Sequence, residues 1–442
     1  MKRRGKAQAS QTGKKRKREG RRVWVKGASS KATDRIGLLS RVFRYGEKMY
    51  KVRKSSEGIG DSRKSPRIPV GRVVLSYMLT FMARLGSLNM FQQYGVNQSW
   101  CSWLGGKLPS ADTMGRVAAC IRLDDLRCVL GRQHRKNKRN KVMSRSKEGF
   151  RFLVLDGHEG VSSYKRFWKG CLKRIVHFQK EDRTQYYWRY VAAYLTNGKS
   201  RFLLDAEPQR PGEGEIDCAI RLLNRLLEYH PCCFEVVCGD ALYMNPDLWK
   251  LVRKHGKHIV AVLKDEKRDL VKDFRQLLQL SAPITFKDKT TTRTCWDIEK
   301  LETWPQFGEP VRVVGSMELT TSRSQASHRQ HKRTSQWLWA TSLPQQLACT
   351  EAIVRIGHRR WHIENYGFNE LCNQWHADHA CKYDSNALMA CLLLLFFVYN
   401  LFHTFVTRNL KPAVRKHRSE QYWADLISAE FRVAFHCYAS SG

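Results

Sequence analysis

A mixed α/β fold, preceded by a helical region and carrying a late β-rich insertion, is predicted by three observations. Residues 150–263 alternate short β-type runs with helical periodicity, the runs falling at 150–155, 186–195, 201–204, 234–238 and 258–263. Residues 283–345 change to Thr, Val, Trp and polar alternation, the pattern of half-buried strands. Residues 35–147 and 350–407 carry apolar residues at three- and four-residue spacing instead, as helices do.

The elements follow in order. Residues 70–83 form an apolar helix, and Ser110 or Asp112 caps another that runs from Met114 to Ile121. Leu123-Asp-Asp-Leu126 opens a third. The Lys/Arg-dense stretch 132–147 reads as a solvated linker or a helix end that touches a nucleic-acid backbone. Asn197-Gly198 marks the turn between the second and third β-runs. A helix over 215–229 places Leu222, Leu223, Leu226 and Leu227 on one face, and a shorter one spans 246–255. Within the insertion, 311–314 and 336–340 alternate as strands, while 322–335 is an exposed hairpin tip or loop. Trp296, Trp304, Trp337 and Trp339 fall in this insertion. Most belong to its core, and one could stack on an unpaired base.

The apolar run 387–406 is interrupted by Asn400, His403 and Thr404. A membrane span needs about 20 apolar residues, so this run reads as a buried core helix, with no membrane as partner. The expected divisions are a basic disordered tail (1–34), a helical DNA-binding region (35–147), a first core part (148–282), the β-rich insertion (283–345), a second core part (346–410) and a C-terminal tail (411–442).

Charge narrows the function. The 442 residues hold 79 Lys+Arg against 40 Asp+Glu, a formal +39. Twelve Lys/Arg and one Glu lie in residues 1–26, so most of the excess belongs to the rest of the chain. A balance this basic favours nucleic acid as partner over a membrane surface or an acidic protein. The fourteen cysteines form no CxxC pair, and the basic N-terminus is followed by no apolar signal stretch. Unpaired thiols in a reducing cytoplasm, with the protein associated with DNA, are the expectation.

So cationic a chain has little electrostatic reason to bury acids unless something positive pairs with them. Yet Asp156 closes the apolar run Phe-Leu-Val-Leu-Asp, Asp240 closes Phe-Glu-Val-Val-Cys-Gly-Asp, and Glu364 follows Arg-Arg-Trp-His-Ile. Each Asp comes at the end of residues that fix a backbone and leave a carboxylate free. Arg360 precedes Glu364 by one helical turn, on the same face. Carboxylates are the ligands Mg²⁺ uses together with substrate oxygens and water, and a pair of such ions can activate a nucleophile and stabilise a leaving 3′-oxygen. Asp205 and Glu159 are structural or surface acids by comparison. Glu370 lies nearly two turns past Glu364 and lacks the preceding Arg. Cys372, His376, His379 and Cys381 match no common zinc spacing.

The order β-β-β-α-β-α, with Asp on the first strand, Asp after the fourth and Glu on a late helix, resembles the RNase H-like core of DDE transposases. The long β-rich segment between Asp240 and Glu364 is similar to that of bacterial insertion-sequence transposases of the YREK-signature group. Asp-Gly-His at 156–158, Pro-Gly-Glu-Gly-Glu at 211–215, Gly-Asp-Ala-Leu-Tyr at 239–243 and Arg-Arg-Trp-His-Ile-Glu-Asn at 359–365 extend the resemblance over roughly residues 110–410. It implies two divalent metal ions, Mg²⁺ or alternatively Mn²⁺, held by Asp156, Asp240 and Glu364, with Arg360 binding a DNA phosphate. It implies cleavage and strand transfer at element ends, DNA terminal inverted repeats and target DNA as partners, and a homodimer in the synaptic complex. The signature's Tyr and Lys positions are Gly357 and Leu371 here, so the handling of the cut 5′ end through a hairpin does not carry over. A nuclease of the same core without strand transfer and an inactive DNA-binding derivative are the alternative readings.

Overall fold

The structure, a computed structural model, describes residues 37–94, 98–179, 181–265, 268–323 and 330–439. The basic tail at 1–34 and residues 324–329 of the expected hairpin tip or loop (322–335) lie outside the described residues, and the rest of that tip is strand.

Ten strands build one mixed sheet: β1 (Phe152–Ser163), β2 (Leu172–His177), β3 (Asp182–Thr196), β4 (Arg201–Pro208), β5 (Val236–Gly239), β6 (His258–Val262), β7 (Ile284–Asp288), β8 (Thr291–Leu301), β9 (Val311–Arg323) and β10 (Gln330–Thr341). Their order is β2-β3-β1-β5-β6-β10-β9-β8-β7, with β4 also paired to β3. β1, β3 and β4 form an antiparallel meander, and β5 and β6 join β1 in parallel. The sequence-predicted insertion is not a separate sheet. Its last strand pairs with β6 through Trp339↔Val262 to Thr341↔Val260, so all four of its strands prolong the central sheet.

Fifteen helices accompany the sheet among the described residues. In front are α1 (Leu38–Tyr50), α2 (Val52–Glu57), α3 (Val70–Met82), α4 (Leu88–Tyr94), α5 (Gln98–Leu104), α6 (Ala111–Ala118) and α7 (Leu123–Arg139). Within and after the sheet come α8 (Glu215–Tyr229), α9 (Pro246–Lys254), α10 (Asp269–Leu277), α11 (Thr350–Arg359), α12 (Asn369–Trp375), α13 (Ser385–Arg408), α14 (Pro412–Arg415) and α15 (Glu420–Ala439). Strand alternation divides the core in two. Val154, Ala192, Tyr194 and Leu203 pack with α1, α3, α7 and α13 on one face, whereas Leu153, Leu155, Val191 and Leu204 pack with α8, α9 and α10 on the other. A sheet covered on both faces needs near-continuous apolar strands, which is why 152–155 and 236–238 carry so few polar residues. On α8 the four leucines expected to share a face are all buried, each worth about 1.5–3 kcal/mol relative to exposure.

α13 runs beneath the sheet and is held there by a buried amide. Asn400 accepts from the Leu203 backbone N at 2.9 Å and donates to its carbonyl at 2.9 Å, replacing a missing strand partner. This helix is long and apolar enough to cross a membrane by length and composition, but 94% of its apolar window is buried inside the protein.

Four sequence expectations change. β1 does not end at Asp156 but continues to Ser163, because β3 offers pairing partners as far as Tyr186. β2 was not foreseen, having only Leu172 buried. The first half of the stretch 132–147 is the end of a helix rather than a linker, with α7 reaching Arg139. Its Gln133 donates to the Phe397 carbonyl at 3.0 Å and His134 meets the Leu203 carbonyl at 3.2 Å, so polar residues are satisfied inside. The expected C-terminal tail contains α15, which buries Trp423, Ala424, Ile427 and Phe431. Its Glu430 accepts from the backbone N of Leu38 and Leu39 at 2.6 and 2.8 Å, capping α1 across the length of the chain.

Candidate active site

Strand register brings two of the predicted acids side by side. β1 and β5 pair in parallel up to Val154↔Cys238, and two residues further along each chain segment lie Asp156, still on β1, and Asp240, just past the end of β5. Phe152 through Leu155 are wholly buried, which fixes the strand that presents Asp156. β5 stops at Gly239, and the Asp240 side chain accepts from Leu242 N at 2.8 Å, starting a one-turn 3-10 helix at Ala241–Tyr243.

Glu364 arrives from another element. α11 buries Ile353, Val354 and Ile356 and gives way, after Arg360, to a π-helical turn over Ile363–Phe368. Such widened turns are rare and break the regular helical spacing of side chains. The Arg360 guanidinium donates from Nη1 to Glu364 Oε1 at 2.6 Å and stands 3.6 Å from Asp156 Oδ2. It lies 4.4 Å above the Trp361 ring, while its Nε is buried with no hydrogen-bond partner among the described residues. Arg360 thus ties Glu364 to Asp156, and the charge of Asp240, the residue just after β5, acts on Asp156 as well.

Charge at this point is unbalanced. Burial pushes the Asp156 carboxyl up to about 7; Arg360 opposes the rise, and the negative charges of Asp240, Glu215 and Glu364 add to it. The Asp156 side chain is 14% exposed and that of Glu364 38%, so the cluster opens to solvent on the Glu364 side. All-oxygen donors short of positive charge fit a hard divalent cation such as Mg²⁺ or Mn²⁺.

Glu215 is the acid that sequence reasoning passed over. It begins α8 at the end of Pro-Gly-Glu-Gly-Glu, accepts from Arg189 Nη2 at 2.5 Å and from Tyr243 Oη at 3.2 Å, and is 8% exposed on its side chain. Its carboxylate lies over Gly157, where a Cβ would come within 2.3 Å of Oε2. That contact explains the glycine after Asp156. The available sequence signal was the pairing of Asp-Gly with a distant Gly-Glu at a helix start, which has no meaning until the two are seen to touch.

The departures from the YREK pattern are built into the packing. A Cβ at Gly357 would stand 2.2 Å from Trp339 Nε1, and Trp339 is buried. Leu371 is a fully buried core residue. The other candidate acids are structural: Asp205 is paired with Arg225 at 2.7 Å and Arg127 at 3.3 Å, and Glu159 with Arg174 at 2.8 Å. Glu370 is buried in a separate cluster with His403 at 3.2 Å and Arg201 at 3.3 Å. With Glu420, 3.1 Å from His403, this group is close enough to hold an ion. Arg201 pairs with both carboxylates, however, so two acids already face two cationic side chains. Cys372 meets His158 at 3.3 Å, whereas Cys381 packs toward Cys391 and Tyr77, so no zinc-like set gathers among the described residues. Of the four tryptophans, Trp304 and Trp339 are core; Trp296 and Trp337 are half-buried and line a 370 Å³ cleft.

A mixed sheet covered by helices, with two acids just past the last β1/β5 pair, defines an α/β enzyme with an RNase H-like core. Residues 160–401, more than half of the chain, match the family described as Transposase DDE domain, and the chain belongs to that family: it is a DDE transposase. Asp240, Arg360 and Glu364 lie inside the matched span, and Asp156 falls immediately before it. No curated protein matches the chain. Transposases of this family bind DNA, and their DDE domains use divalent metal ions.

Proposed function

We propose that this transposase binds the ends of an insertion sequence, cuts them and joins the freed 3′ ends to target DNA, with Asp156, Asp240 and Glu364 as its catalytic acids. The observation that carries the reading is the placement of Asp156 and Asp240 two residues beyond the last β1/β5 register pair, Val154↔Cys238, with Asp156 joined to Glu364 through Arg360.

In this reading Asp156 and Asp240 hold one side of a site for two divalent ions, Mg²⁺ in preference to Mn²⁺, and Glu364 completes the other side. When bound, these ions supply the positive charge that activates water and stabilises a departing 3′-oxygen. Arg360, already carrying an unpartnered Nε, turns its planar donors to a phosphate oxygen and fixes the scissile group. The buried strand behind Asp156 keeps its carboxylate in place without reorganisation. Water attacks phosphorus, the strand parts with a free 3′-hydroxyl, and that hydroxyl attacks a target phosphodiester in the same site. The helical region 35–147 recognises element ends, strands 283–345 hold DNA beside the acids, and two copies synapse two ends.

The test is incubation of the protein with a pre-cut element end and a supercoiled target in Mg²⁺. Joined product supports strand transfer. Cutting without any joined product would leave a nuclease and overturn the transfer step.

A further inference from the structure

Beyond the acids, β1 carries a feature that cleavage chemistry does not use. After Ser163 the chain forms a short loop, 164–171, before β2, and this loop is braced from beneath. Trp168 is buried and packs on Tyr383 at a ring distance of 5.3 Å, and Ser385 donates to the Lys169 carbonyl at 2.8 Å. Ser163 Oγ accepts from the backbone N of Lys165 and Arg166, closing the turn. Bracing of this kind holds the outward residues in a fixed array.

Those outward residues are basic and aromatic. Phe167 is 70% exposed, supported on one edge by Tyr186 at 5.5 Å. Around it Lys165, Arg166 and Lys169 are exposed, as is Lys173 on the adjoining strand, and none has a carboxylate partner among the described residues. Their neighbours differ: Arg174 is paired with Glu159, Arg183 with Glu181 and His177 with Asp182. Charge is therefore neutralised farther along β2 and β3 and left unbalanced at the loop and at Lys173.

We infer that loop 164–171 with Lys173 is a surface for duplex DNA, the four cations gripping phosphates and Phe167 making an apolar contact with sugars or a base step. This rests on the DNA-processing reading above. Exposed aromatic wedges flanked by cations suit the grooves of DNA, where apolar side chains press against base steps while Lys and Arg take the backbone. The loop also sits at a defined reach. Seven residues of β1 separate Asp156 from Ser163, about 20 Å of strand, or roughly six base pairs of B-DNA. The surface would hold the duplex about half a turn from the phosphate being cut.

The experiment is equilibrium binding of the full chain to a duplex of about 40 base pairs, in an Asp156→Asn background without divalent metal, over a range of salt. Replacing Lys165, Lys169 and Lys173 together by Ala should make the plot of log affinity against log salt shallower by roughly 2 to 3, since each phosphate contact contributes about 0.9. Phe167→Ala should weaken binding about fivefold or more with the salt slope unchanged, as loss of a ring contact to a base does. Thermal unfolding of these surface variants should match that of the parent chain. Wild-type affinity and slope in both variants would overturn the inference. Normal binding losses beside a failure of Asp156→Asn to stop cleavage would strike the proposed chemistry and leave this surface standing.

Discussion

Arg360 donates to Glu364 at 2.6 Å, a turn apart on the chain and just where α11 opens into a π-helical turn. A charge-assisted contact of this length keeps both side chains in place, and the proposed function sets substrate phosphate and metal beside them. Arg360→Ala should lower strand cleavage about 10²–10³-fold, the usual effect of removing one preorganised charged donor, while end binding changes little. Arg360→Lys should recover only part of the loss, because an ammonium lacks the planar two-pronged geometry. Single-turnover cleavage rates set beside gel-shift affinities check both outcomes.

Glu215 supports the acids without touching substrate in the proposed reading. Glu215→Gln should keep the fold but release Arg189 and Tyr243, and a partner of this type is worth about 10–100-fold in metal affinity or rate. The measurement is the Mn²⁺ concentration at half-maximal cleavage. It should rise in Glu215→Gln, and activity at saturating Mn²⁺ should largely return.

Gly357 tests whether the missing signature tyrosine is a simple loss. Introducing Tyr at 357 should destabilise the protein rather than restore a family feature, because the new side chain must displace the buried Trp339. Overpacking of a filled core costs about 1–3 kcal/mol. A lowered denaturation midpoint for Gly357→Tyr, relieved by Trp339→Ala in the double variant, is the expected pattern in chemical unfolding.

His403 gives the protein a pH dependence. Burial works against the charged ring, but Glu420 and Glu370 more than offset it, so its pKa is raised above 6.5. For a group raised on folding, the stabilisation is complete below the unfolded value of 6.5 and is lost as pH climbs through the folded value. Thermal stability should therefore fall as pH rises from 6.5 through the raised folded-state value. His403→Gln should show a flatter profile across the same window, measured by thermal unfolding in matched buffers.

The sequence made the sheet readable where burial is two-sided, because 152–155 and 236–238 have few polar residues to mislead. It also singled out Asp156 and Asp240 as candidates by position in the chain, since a carboxylate ending such a run stands out. β2 was hidden because five of its six residues are exposed or half-buried and carry no periodic signal, and its pairing to β3 is a tertiary fact. The second half of α7 looked like a linker or helix end because Gln133 and His134 bond to α13 and β4, and Asn137 accepts from Tyr50 Oη on α1, partners no local window contains. The role of Glu215 was illegible for the same reason: its meaning lies in contact with Gly157, Arg189 and Tyr243, from three separate elements.

The acids themselves admit the most direct measurement: strand cleavage at an element end in Mg²⁺ by Asp156→Asn, Asp240→Asn and Glu364→Gln, each set beside its end-binding affinity. Cleavage should vanish in all three while binding stays within a few-fold of wild type. Full cleavage by any one of them would contradict the assignment of that acid and, with it, the three-carboxylate site.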